Sequence, residues 1–478
     1  MLMMFALTLL TGTAQESLRI VVQADKPGAE IQPTMWGVFF EDINFAADGG
    51  VYAELVKNRS FEFEFPLSGW RQLSQQNGTG RIVPGFYYPY NPGNPHHVSI
   101  FLDPAVESFG ITNEGFRGMG IRKDAQYNFS VKARLHESSD IKMKVELLSA
   151  SGQIIGTAVI SGFTADWTNH KVSFAASDTE LKALLRITLE GKGAIDLDMI
   201  SLFPADTWKE RENGLRKDLV QMIADLKPGF LRFPGGCIVE GRTLENRYQW
   251  KTTVGPVEDR KLIMNRWNLE IRNRQTPDYF QSFGLGFYEY FLLAEDIGAE
   301  PLPIVNCGMS CQYNAAEVVP LEELDSYIQD ALDLIEFANG ETSTRWGGLR
   351  AEMGHPEKFN LKYLGVGNEQ WDEQYIERYR EFEKVLKDKH PEIKIISGSG
   401  PSAAGRMFEY GWTELRKLSP DLIDEHYYIC LLYTSDAADD LLCVDLGGRR
   451  SIKKKKQIQN KKTKNKNNSH INTIEPKQ

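Results

Sequence analysis

Cysteine is scarce in this 478-residue chain: there are five, and none repeats the C-x2-C spacing that a tetrahedral zinc site uses. A small disulfide-stapled scaffold is excluded, and no metal is expected. Long apolar runs are also missing. After the first fifteen residues none approaches the roughly 20 needed to cross a bilayer, so no membrane span is expected. Basic residues are few away from one end, since eleven of the 55 Lys and Arg fall between Arg449 and Gln478, against a single Glu. Setting that stretch aside leaves 44 basic and 64 acidic residues, a balance of -20 that repels polyanions and argues against nucleic acid as a partner. A neutral polymer suits the body better.

What is present is globular. With 41% hydrophobic residues, 9 Trp and 18 Tyr, the chain can bury a large core, and its length fits one large α/β barrel or two to three smaller units. Residues 1–15 hold an apolar stretch, Met3 to Leu10, followed by small residues up to Ala14. That reads as a secretory signal without the usual basic start, and implies export to the periplasm or outside the cell.

Leu18 to Val22 reads as a short strand, and Met35 to Glu41 as an apolar strand buried on both faces and ending in an acid, within a first barrel region over 16–69. Over 70–206 the pattern changes to short alternating segments, Tyr127 to Leu135, Lys142 to Leu148, His170 to Phe174 and Leu184 to Leu189, separated by Gly, Ser and Asp. This predicts an inserted antiparallel β-sandwich of carbohydrate-binding type. Over 207–429 helices alternate with strands: helices Leu215 to Leu226, Phe287 to Ile297, Leu324 to Asn339, Gln374 to His390 and Arg406 to Lys417, with strands around Leu231, Ile304, Leu364, Ile395 and Ile423. Repeated βαβ units predict a parallel sheet and an α/β fold of the (β/α)8 TIM type. Counting the Trp36 strand, six of eight strands are legible. From Cys430 no further unit follows; 430–478 ends in Lys/Asn/Gln-rich sequence, resembles translated adapter sequence, and is expected to be a non-homologous disordered tail on a truncated chain.

In such barrels chemistry sits at the carboxyl ends of the strands. There the sequence places Glu41-Asp42, Arg232 with the Pro234-Gly235-Gly236-Cys237 turn, Asn306-Cys307, Asn368-Glu369 and Glu425-His426-Tyr427-Tyr428. Carboxylates and amides bind hydroxyls, aromatic faces cover a sugar ring, and a carboxyl can protonate a departing oxygen. Gly-Asn-Glu alone is a weak signal, but Glu369 ends an apolar strand, where an unpaired carboxylate would be costly unless it met a wet cleft or a partner. Glu41 fits either a cleft ligand or an ion-pair partner of Arg232, and His426 either a cleft or a core histidine. Cys237, Cys307 and Cys311 read as inert thiols, because no His-Cys-Asn order accompanies them. His96-His97 lacks the further ligands of a metal site.

Four motifs in order, Trp36-Gly37-Val38-Phe39-Phe40-Glu41-Asp42-Ile43-Asn44, Leu231-Arg232-Phe233-Pro234-Gly235-Gly236-Cys237 running on to Gly241, Gly365-Val366-Gly367-Asn368-Glu369-Gln370-Trp371 and Asp424-Glu425-His426-Tyr427-Tyr428, resemble the α-L-arabinofuranosidases of glycoside hydrolase family 51. The likeness spans about Leu18 to Tyr428. It implies a retaining, cofactor-free glycosidase that takes arabinose from arabinoxylan or arabinan, with a further C-terminal β-sandwich in the family's architecture. It also implies that Glu369 is the general acid/base, Asn368 a ligand of the sugar 2-hydroxyl and Glu41 a ligand of arabinose hydroxyls. Arg232 would support the acidic cluster, with His426 and Tyr428 beside the nucleophile. Cys237 departs from the Asn of many bacterial relatives. The family's nucleophilic Glu ends the seventh strand, beyond the break, so the chain as it stands is expected to be inactive; Glu425 is not taken as a substitute. A xylanase-like retaining enzyme and a noncatalytic polysaccharide-binding protein are the alternatives.

Overall fold

The computed structural model describes residues 25–427, apart from 27, 29, 74–79, 103–107, 138 and 270–277. The expected signal over 1–15, the Leu18 to Val22 strand, Tyr428 and the 430–478 stretch lie outside the described residues.

Six strands, Val38–Phe39, Phe230–Phe233, Glu300–Val305, Tyr363–Val366, Lys394–Gly398 and Leu422–Asp424, form one sheet in sequence order. Every pair is parallel. Helices Phe287–Ile297, Asp325–Asn339, Asp372–Lys389 and Arg406–Leu418 alternate with the later strands, which gives an arc of a TIM-type barrel. Asp325–Asn339 shows why such segments are helical: Tyr327, Ile328, Ala331, Leu332, Leu334, Ile335 and Ala338 recur at three- and four-residue spacing and are all buried. Phe287–Ile297 stops where Gly298 adopts a left-handed conformation at φ 71°. In Phe230–Phe233 alternation sorts the side chains. Phe233 stacks on Tyr290 of the Phe287–Ile297 helix at 4.9 Å, while Arg232 lines the cleft at the sheet's carboxyl edge.

The first strand departs from expectation. Only Val38–Phe39 pair, and Trp36 and Phe39 are 53% and 51% exposed, so the run is not buried on both faces. The reason is its position: among the described residues it is an edge strand with one neighbour.

The inserted region is antiparallel, with a core of its own around Val131, Met143, Val145, Ile187 and Leu197. Gln126–Leu135 buries Tyr127, Phe129, Val131 and Ala133 in strict alternation, as the sequence pattern requires. One strand is much longer than its signature. Glu180–Pro204 pairs with Ser108–Asn113 and Asp140–Leu148 along its first half and with His97–Leu102 and Gln126–Leu135 along its second, so it passes from one layer to the other. Gly191 and Gly193, at φ 123° and 102°, lie at the crossing, and Gly-Lys-Gly reads locally as a turn, which hid the second half.

Candidate active site

The carboxyl ends of the strands surround a cleft of about 490 Å3 whose walls include Phe39, Glu41, Arg232, Cys237, Trp267, Asn368, Glu369 and His426. That volume falls within the range of small-molecule pockets. Glu369 is 8% exposed, its Oε1 lies 3.0 Å from His426 Nδ1, and the Cys237 thiol is 3.7 Å from its Oε2. Its backbone N–H donates to Glu240 Oε1 at 3.1 Å.

His426 bridges two carboxylates, since its Nε2 lies 3.2 Å from Asp424 Oδ2. Burial, the largest influence, disfavours the imidazolium, but the hydrogen bonds to Asp424 and Glu369 outweigh it and hold the pKa up at about 9. Near neutral pH both ring nitrogens therefore donate. Asp424 shows the complementary effect: burial pushes its carboxyl up, and the His426 and Arg232 hydrogen bonds bring it below the usual range.

Arg232 is the hub. It donates to Gly235 O at 2.9 Å, Asn368 Oδ1 at 2.9 Å and Asp424 Oδ2 at 3.2 Å, and its guanidinium lies 5.1 Å from the Phe39 ring centroid. This settles the orientation of Asn368, whose Nδ2 donates to Glu240 Oε1 at 3.1 Å. Glu41 is held differently. Its Oε1 accepts from Ile238 N at 2.8 Å and Trp267 Nε1 at 3.2 Å, and burial raises its pKa. The ion pair considered for Glu41 and Arg232 is made by Asp424 instead. The Gly235-Gly236 turn allows the close approach: a Cβ on Gly235, at φ 153°, would come within 2.6 Å of Glu41 Cγ, and one on Gly236 within 3.1 Å of Asn368 Oδ1.

Glu369, Asn368, Glu41, Arg232 and His426 thus meet in one cleft, whereas Tyr428 is outside the described residues. Glu425 stands at the rim, where Trp412 Nε1 of the Arg406–Leu418 helix donates to it at 2.7 Å and Tyr427 also hydrogen-bonds it. Its partners are thus Trp412 and Tyr427, while Asp424 and His426 pair with Arg232 and Glu369.

A family model described as the α-L-arabinofuranosidase 1 domain matches residues 222–436. The chain is 41% identical over 430 residues to an extracellular exo-α-L-arabinofuranosidase of Streptomyces chartreusis, a match that covers 86% of this chain and 49% of the relative. It is 35% identical to α-L-arabinofuranosidase 2 of Arabidopsis thaliana, over 83% of this chain and 59% of that one. A solved arabinose-bound family 51 α-L-arabinofuranosidase matches with a TM-score of 0.70 and 31% identity, over 78% of this chain and 60% of the other. The chain belongs to glycoside hydrolase family 51. It spans 49 to 60% of the length of these family 51 relatives.

Sequence reasoning within this family 51 chain missed Asp424, Glu240 and Trp267 as site members. Two of these had a signal. Asp424 has the same strand parity as His426, and Glu240 stands one helical turn after Cys237. Trp267, in the Arg266–Leu269 turn, had none.

The bridged histidine gives a pH prediction. Its folded pKa of about 9 lies above the ordinary 6.5, so its stabilisation is complete below about pH 6.5 and is lost as pH rises through 9. Urea unfolding at pH 6 and pH 10 should differ by up to about 3 kcal/mol more in the native protein than in His426→Asn. Equal pH dependence in the two proteins would show that His426 titrates normally.

Proposed function

We propose that the protein is an exported, exo-acting retaining α-L-arabinofuranosidase that releases terminal non-reducing arabinofuranosyl groups from arabinoxylan or arabinan. The observation that carries the proposal is the convergence of Glu369 and Asn368, at the end of the fourth strand, with Glu41, Arg232 and His426 around one cleft. Supporting it are the family and the relative's name as an extracellular exo-acting enzyme; among the described residues no helix is long and apolar enough to cross a membrane.

In this reading Glu369 protonates the departing oxygen and then activates water, while a second carboxylate about 5 to 5.5 Å away attacks the anomeric carbon. Asp424 is neutralised by Arg232 and His426, and Glu425 is turned to Trp412, so neither is assigned the attack. Asn368, with Oδ1 fixed by Arg232, presents the second hydrogen of its amide to a sugar hydroxyl. Glu41 binds further hydroxyls. The inserted sandwich over 70–206 serves as a carbohydrate-binding module.

The test is to incubate a chain that carries the family's seventh-strand Glu with an aryl α-L-arabinofuranoside and with debranched xylan, following the anomeric protons by NMR. Arabinose released first as the α-anomer supports the proposal. Release of xylo-oligosaccharides would favour a xylanase, and binding of arabinoxylan without hydrolysis would favour a noncatalytic module.

A further inference from the structure

Beside Glu369 lie three ligand-type side chains that the proposed reaction does not use. Cys237 opens the Cys237–Glu240 turn, which puts Glu240 one turn later on the same side. Cys311 comes from the loop after the third strand, and its backbone N–H donates to Gly241 O at 3.1 Å, which pins that loop against the turn. The two Sγ atoms and a Glu240 carboxylate oxygen lie within 4.8 Å of one another. Glu240 and Cys311 are 2% and 3% exposed, while Cys237 reaches the cleft wall.

We propose that Cys237, Cys311 and Glu240 form a site for a thiophilic divalent cation of the zinc type, opening on the cleft beside Glu369. Two thiolates and a carboxylate are a ligand set zinc accepts, and three protein ligands leave a fourth position open to the cleft. Zinc–sulfur bonds of about 2.3 Å place tetrahedral sulfurs roughly 3.8 Å apart, so the side chains need to draw in by no more than about 1 Å. Charge also closes. The three anions around a dication leave one surplus negative charge, and the Arg266 Nη2 atom stands 3.8 Å from Cys311 Sγ to compensate it. A zinc-bound cysteine is a thiolate, so both cysteines give up their protons on loading. Binding therefore releases protons, and affinity rises with pH.

Loading would draw the Glu240 carboxylate away from Asn368 Nδ2 and Glu369 N, the two hydrogen bonds that set the cleft's amide and acid. The cation is thus an inhibitor. That consequence rests on the glycosidase reading; the site does not.

The test adds Co2+ alone to the reduced full chain carrying Cys430→Ser and Cys443→Ser. One equivalent should produce a thiolate-to-metal absorption in the near ultraviolet and the strong visible bands of a four-coordinate ion, both displaced by Zn2+. Cys311→Ser and Cys237→Ser should each lose the thiolate absorption while keeping the far-ultraviolet circular dichroism of the parent; if one variant unfolds, the other decides. No thiolate absorption in the parent, or its survival in a folded Cys311→Ser or Cys237→Ser protein, overturns the site. If Co2+ binds as described but Zn2+ leaves arabinoside hydrolysis unchanged, the inhibitory role is overturned. The hydrolysis arm uses a chain that also carries the family's seventh-strand Glu; no hydrolysis by that chain overturns the glycosidase reading and leaves the spectra to judge the metal.

Discussion

Glu369→Gln in a chain that carries the family's seventh-strand Glu is expected to lower kcat on arabinoxylan by roughly 10²- to 10⁴-fold, the usual worth of a positioned general acid/base. Glutamine keeps the volume and the backbone N–H bond to Glu240 but cannot give up a proton. The loss should depend on the leaving group. An alkoxide needs protonation as it departs, whereas a dinitrophenolate leaves unaided, so an activated aryl arabinofuranoside should lose far less in its first step. Its second step, attack by water, would still lack a base, and a small anionic nucleophile such as azide should restore it. An equal loss on both substrates, with no azide rescue, would mean that Glu369 holds the cleft in shape and transfers no proton.

Arg232→Met should destabilise the fold by about 2 to 3 kcal/mol, below the roughly 3 to 5 typical of breaking a fully buried charge pair, because the Asp424 side chain is 29% exposed. Methionine replaces the aliphatic stem but none of the donors. Asp424 would keep only its His426 contact, and Gly235 O and Asn368 Oδ1 would each lose a donor in a site where Arg232 is 8% exposed. Adding Asp424→Asn to this variant should recover part of the loss, because the uncompensated carboxylate is then gone. Both are read by urea unfolding at one pH. A loss under about 1 kcal/mol, as for an exposed pair, would show that water already solvates the cluster.

Much of the site was legible because strand ends concentrate chemistry. Glu369 and Asn368 close an apolar strand, and Arg232 interrupts Phe-Leu-Arg-Phe, so polarity in the wrong place for a core marked each of them. The pairing was not legible. Glu41 and Asp424 are both carboxylates within plausible reach of Arg232, and which one took the guanidinium depended on the register of the first strand with the second and on the parity of the sixth. The nearness of the cysteines was hidden for a related reason. Spacing rules detect ligands that are close in sequence, while Cys311 is brought beside Cys237 by its backbone N–H bond to Gly241 O.

From the sequence alone came the alternation of helix and strand, the sandwich inserted after the first strand, and the set of residues at the carboxyl edge, because periodicity and strand polarity are local properties that side-chain solvation imposes directly. Tertiary structure alone decided that Val38–Phe39 is an edge among the described residues, that Glu180–Pro204 runs through two layers, and that His426 stands charged between Glu369 and Asp424. Those outcomes follow from which chain segments become neighbours, and a pKa or an ion pair belongs to that neighbourhood and not to the residue.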